Sequence, residues 1–143
     1  MLDSLCGDAV GCVPVVRLAQ IFVCIFLGIL FLQSGIDKIV DRKGNLEWLT
    51  GHFANSPLAG VVPLMVSVVT LTELLAGAFS ALGAIALVAF GSKSLAIAGV
   101  SLSCLSLIML FFGQRLAKDY EGAAVLTSYF GVTLVAMLLF SAG

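Results

Sequence analysis

The sequence predicts an all-α integral membrane protein, an antiparallel four-helix bundle with a short amphipathic interfacial helix between spans 1 and 2. Three observations carry that prediction. Of 143 residues, 61% are hydrophobic and 10% charged, with a mean hydropathy of +1.18, whereas soluble domains carry roughly 25% charged residues. Ten of the fifteen charges fall in two clusters, six from Asp37 to Glu47 and four from Arg115 to Glu121, leaving too few for a water-soluble shell. Before, between and after the clusters lie apolar runs long enough to cross a ~30 Å hydrocarbon core, which takes about 20 helical residues.

One membrane domain over residues 1–143 accommodates the elements in order. Span 1 (17–37) opens at Arg17 and contains the uncharged run Leu18 to Ile36. It reads as a retained span, because Asp3 and Asp8 precede it in place of positive charge and its run exceeds a 7–15-residue signal core. Residues 44–56 follow, where Leu46, Leu49 and Phe53 recur at helical spacing beside Trp48 and His52, four apart. They predict a helix lying in the interface, anchored by Trp48 and Phe53; a plain extramembrane loop is the alternative. Span 2 (61–90) carries Pro63 in its first turn, where the missing N–H costs nothing, and is interrupted only by Glu73. Spans 3 (94–114) and 4 (122–142) are uncharged. Helices are required because backbone groups in lipid must pair within their own segment, and no strand alternation suggests a barrel. Short connections make spans 2, 3 and 4 antiparallel neighbours.

Orientation follows from positive charge. Lys38, Arg42, Lys43, Arg115 and Lys118 lie on the side of the first and third connections, against Arg17 and Lys93 on the side of both termini. Five against two places the first side in the cytoplasm and both termini outside it. Contact between helices in lipid relies on small residues at helical repeats. Span 1 offers Cys24, Gly28 and Gly35; span 2, Gly77, Ser80, Ala81 and Ala84; span 3, Ala96, Gly99, Ser103 and Ser106; span 4, Ala124, Ser128 and Gly131. Glu73, four residues before Gly77, therefore belongs to a packing face.

From the 1.5 Å rise per residue, Glu73 lies roughly 17 Å from the positive side, Cys104 about 14 Å, Tyr129 and Ser106 about 10 Å, and Gln33 about 5 Å. These five are the candidate intramembrane polar site, able to line one pocket. An intramembrane carboxylate is costly and is a functional candidate by default; alternatively Glu73 is protonated, bonds Tyr129 or a backbone carbonyl, and holds helices together. Lys38, Trp48, His52, Arg115, Lys118, Asp119, Tyr120 and Glu121 are candidates for a docking surface, or else interfacial anchors and topology determinants. His52 is either a proton relay near neutral pH or a surface residue.

Three motifs then act as a set: Ser34-Gly35-Ile36-Asp37-Lys38 closing span 1, Thr72-Glu73-Leu74-Leu75-Ala76-Gly77 within span 2, and Gly113-Gln114-Arg115-Leu116-Ala117-Lys118-Asp119-Tyr120-Glu121-Gly122 before span 4. With Arg17 they span nearly the whole chain, which resembles the DoxX-like family of small four-helix bacterial membrane proteins. That resemblance implies the bacterial inner membrane. Some members are subunits of a thiosulfate–quinone oxidoreductase, others associate with thiol or oxidative-stress enzymes, and the family supplies no agreed catalytic residues.

Much chemistry is excluded. Seven Lys/Arg against eight Asp/Glu leave no basic surface for nucleic acid. One histidine excludes bis-histidine haem. Cys24 and Cys104 stand alone in separate spans, so no metal site is expected; Cys6 and Cys12 lack C-x-x-C spacing and are either a disulfide or free thiols. No intrinsic cofactor is expected, but a quinone could sit in an apolar cleft with one proton-exchanging side chain. Three functions remain. The preferred one is an accessory subunit of a larger respiratory or redox membrane complex, in contact with lipid and with other subunits or copies of itself. The others are a quinone-binding redox subunit with Glu73 at the site, and a small-solute or proton carrier, disfavoured by the lack of an inverted repeat.

Overall fold

The computed structural model describes residues 12–142, and all regular structure in them is helical. Helix α1 spans Cys12–Val40, α2 Arg42–His52, α3 Val62–Phe90, α4 Ser94–Leu116 and α5 Tyr120–Ala142, with a 3-10 turn at Ala59–Val61 before α3. Four of these (α1, α3, α4 and α5) are long and apolar enough to cross a membrane, which defines a multi-pass membrane protein. Cys6, and with it any Cys6–Cys12 pairing, lies outside the described residues.

The helix junctions explain the charged clusters. At the α1–α2 joint the backbone continues through Asp41 N–H to Asp37 O (3.1 Å) and Asn45 N–H to Asp41 O (2.9 Å), and the side chain of Asn45 adds a second donor to the same carbonyls, at 3.0 Å to Asp41 O and 3.4 Å to Asp37 O. Helix α3 ends on Gly91, whose φ of 65° lets the N–H groups of Gly91 and Ser92 reach Leu87 O and Ala86 O. Lys118 adopts a left-handed φ of 61° at the α4–α5 joint. Asp119 follows it, donates its N–H to Gln114 O at 2.9 Å, and accepts the Gly122 N–H on Oδ1 at 2.9 Å. That is the geometry of a helix N-cap.

Helix α3 is the central element, packed heavily on α1 and on α4, while α5 packs mainly on α4 and lightly on α1. Small residues let the backbones approach. A Cβ on Gly83 would stand 2.5 Å from Ala96 Cα, and one on Gly99 2.5 Å from the Ser80 nitrogen. Gly28 of α1 meets Ala81 and Gly35 meets Leu74, fixing the register of α1 against α3. The expected stripes on spans 1 to 3 are accordingly at the contacts: Cys24, Gly28, Gly35, Gly77, Ser80, Ala84, Ala96, Gly99, Ser103 and Ser106 are buried, and Ala81 partly so. Span 4 corrects the reading. Ala124, Ser128 and Gly131 are exposed, and α5 instead buries Ala123, Thr133, Ala136 and Phe140. Helix α5 carries small residues on more than one face, so a stripe of them does not select the packed one.

A second apolar cluster sits at the charged end. Phe53, Val62 and Val66 are buried together, with Leu46, Leu49, Leu58, Met65 and Ala117 against them. The three residues expected at helical spacing, Leu46, Leu49 and Phe53, therefore face the protein, and Phe53 is a core residue of this cluster rather than the interfacial anchor its aromatic ring suggests. Arg42 adds a tether, donating to Ser67 Oγ of α3 at 2.8 Å.

Gly99→Leu is expected to force α3 and α4 apart and lower stability by about 1–3 kcal/mol, the usual range for overpacking. Thermal or denaturant unfolding in mild detergent measures it, with Gly131→Leu, where nothing lies within 4 Å of a Cβ, as the near-neutral control.

Candidate functional site

Glu73 has no exposed surface. Because Gly35 sits against Leu74, the carboxylate comes level with the last turns of α1, and Lys38 reaches it from there. Lys38 Nζ lies 3.0 Å from Glu73 Oε2 and 3.3 Å from Oε1, and donates to Ser34 Oγ at 2.8 Å. The lysine side chain keeps 19% of its surface, so its stem runs inward from the interface with the ammonium turned toward the buried acid. The reading of Glu73 as a helix-holding acid expects Tyr129 or a backbone carbonyl as its partner; the structure supplies an ammonium. Lys38, read from sequence as a surface docking residue, belongs to the intramembrane site. Its signal was present in the sequence, since it lies three residues after Gly35 on the same helix face.

A second polar group closes the outer end. His52 Nε2 lies 2.9 Å from Gln114 Oε1 and 3.6 Å from Asp119 Oδ2. Trp48 stacks on the imidazole at 4.7 Å with an interplanar angle of 15°, and Phe53 meets it edge-on at 5.0 Å. Residues from α2, α4 and the start of α5 are thereby joined.

Between the two polar groups lies a cavity of about 380 Å³. Leu49 of α2 and Phe53 just past its end border it on one side, and Val69 of α3, Met109 of α4 and Leu126 of α5 form walls. Among the described residues that line it, Lys38 and Gln114 are the polar side chains, and Gly122 also borders it. The cavity exists because α1 has all but ended at this level, contributing Lys38 alone, while α3, α4 and α5 continue and α2 folds across the opening. Its volume falls within the range of roughly 300–1,000 Å³ for small-molecule sites, and an apolar lining with few fixed polar groups is their usual chemistry.

The other sequence candidates separate. Ser106 is buried with its hydroxyl unpartnered. Cys104 is half-buried on α4, its Sγ 3.7 Å from Met137 Sδ. Tyr129 is partly buried against the main apolar cluster. Gln33 is exposed, correcting its place in an internal pocket: two residues before Gly35, it points about 200° away around the helix. Trp48, Arg115, Lys118, Tyr120 and Glu121 are exposed. Arg115 lies over the Tyr120 ring at 4.6 Å. Among the described residues, no three His, Cys, Asp or Glu side chains gather as a metal site.

Comparison with family models, curated proteins and solved structures finds no match.

Removing one member of a buried ion pair strands the other, at about 3–5 kcal/mol, whereas replacing both with apolar groups is often neutral. Glu73→Leu or Lys38→Met alone should therefore lower stability strongly, and the double variant should recover most of it. A double-mutant cycle of unfolding in detergent measures the coupling; additive single losses would show that the pair does not act as a unit.

Proposed function

We propose that the chain is a small DoxX-like protein of the bacterial inner membrane, an antiparallel four-helix bundle that serves as an accessory subunit of a larger redox complex and offers that complex a quinone-class binding cavity. The observation that carries this reading is the cavity of about 380 Å³ with a charged donor, Lys38, in an otherwise apolar lining. A quinone fits this set of residues: flat apolar walls accept the ring, flexible Met109 adapts to it, and the Lys38 ammonium can hold a carbonyl oxygen. Bound there, such a group supplies two-electron, two-proton chemistry, with electrons delivered by a partner subunit. Glu73 holds the ammonium at the cavity wall and offsets its charge, and the pair can exchange a proton at Lys38 Nζ. The antiparallel arrangement is supported by the helix pairings, since Gly28 meets Ala81 while Gly35 meets Leu74. The exposed small residues Ala124, Ser128 and Gly131 of α5 favour the assembly role, because they permit close approach by a helix from another subunit.

Purified from mild detergent, the complex should retain quinone and a redox partner detectable by mass spectrometry. Glu73→Gln preserves shape and removes the counter-charge, so quinol formation should slow at least about tenfold, equivalent to 1.4 kcal/mol; unchanged turnover removes Glu73 from the proposed chemistry. Sidedness has its own test. In a cysteine-free background, Lys118→Cys should react with an impermeant thiol reagent only from the cytoplasmic side, and Ser92→Cys only from the opposite side, as the five-to-two distribution of positive charge implies.

A further inference from the structure

The two polar side chains bordering the cavity come from different helices, Lys38 from α1 and Gln114 from α4, and Gln114 meets the chain's single histidine. His52 Nε2 faces two acceptors at once, Gln114 Oε1 at 2.9 Å and the Asp119 carboxylate at 3.6 Å. The Asp119 carboxylate, at 3.6 Å beyond hydrogen-bond length, favours a proton on this nitrogen electrostatically, and a ring nitrogen that carries a proton cannot accept from an amide. Gln114 therefore turns its oxygen to His52 and its NH₂ away. The amide nitrogen lies against Gly122, where a Cβ would stand 2.7 Å from both Gln114 Nε2 and Asp119 Oδ2, and Gly122 borders the cavity. Absence of a side chain at residue 122 keeps this donor uncovered. Asp119 is itself fixed, because its other oxygen accepts the Gly122 N–H.

We infer that Gln114 Nε2 is a second donor of the cavity, set by His52 and Asp119, and that with Lys38 Nζ it selects a ligand bearing two carbonyl oxygens at opposite ends of one ring, over analogues bearing one. This rests on the reading of the cavity as a quinone-class site and specifies how such a ring is held. Gln114 contacts the ligand; His52 is a positioning residue.

Calorimetric titration of the detergent-purified full chain with a short-chain alkyl-1,4-benzoquinone, and with an alkylcyclohexenone having a single carbonyl, tests the assignment. The wild type should prefer the dione by about tenfold, the value of one good hydrogen bond to a desolvated acceptor. Gln114→Leu should erase that preference. His52→Ala should reduce the preference to about threefold by letting the amide rotate, and His52→Gln, which retains a donor at similar reach, should restore it. If Gln114→Leu does not fold, the two His52 variants decide alone. A dione preference that survives both Gln114→Leu and His52→Ala, or a wild type without the preference, overturns the inference while the cavity reading stands. A wild type that binds neither compound overturns the cavity reading and this inference with it.

Discussion

The arrangement depends on one requirement, that the carboxylate of Glu73 have a cation inside the protein. A buried, unpaired carboxylate costs several kcal/mol even after relaxation, and α3 places this one where no water reaches it. The nearest cation on a packing face is Lys38, whose side chain can meet it only if the last turns of α1 lie level with Glu73. Gly35 against Leu74 and Gly77 against Leu32 hold that level. The ion pair and the small-residue contacts therefore set the same register by independent means, and neither could shift by one turn without violating the other.

That register has a consequence for the space beyond it. With α1 ending just past Lys38, α3, α4 and α5 continue alone toward the charged end. Three helices without a fourth leave an apolar opening, which the chain covers with α2 rather than with a further span. Helix α2 buries none of its own residues fully and is held by Phe53 just beyond its end, by Arg42 on Ser67 and by His52 on Gln114. The cover is thus fastened at discrete points.

The sequence made some of this legible and hid the rest for identifiable reasons. The spans were readable because apolar runs of this length have one structural outcome in lipid. The faces of α1, α3 and α4 were readable because their small residues stand out at three- and four-residue steps among bulky neighbours. On α5, Ala124, Ser128 and Gly131 formed an equally regular stripe, yet Ala123, Thr133 and Ala136 are the ones that pack; spacing names the candidate faces and only the neighbour chooses between them. Glu73 could be recognised, but its partner could not while charge alone assigned Lys38 to the surface, because the long lysine stem lets the backbone and the ammonium occupy different environments. The cavity was beyond sequence reasoning, since Gln114, Gly122, Phe53 and Met109 are brought together only by the fold.

The scarcity of charge gives the cavity its electrostatic character. In a water-rich setting, an ammonium at 3.0 Å from a carboxylate contributes little net energy. Here the acid is shielded, the cation is partly shielded, and the remaining lining is hydrocarbon, thioether and a single amide. Low polarizability strengthens the field of whatever polar groups remain. Two donors in such surroundings discriminate among ligands more sharply than a crowded polar surface would, because a ligand oxygen entering the cavity leaves water behind and finds few alternatives to Lys38 and Gln114. A bordering glycine and a lone histidine then matter beyond their size: Gly122 leaves the amide uncovered and His52 decides which of its atoms faces inward.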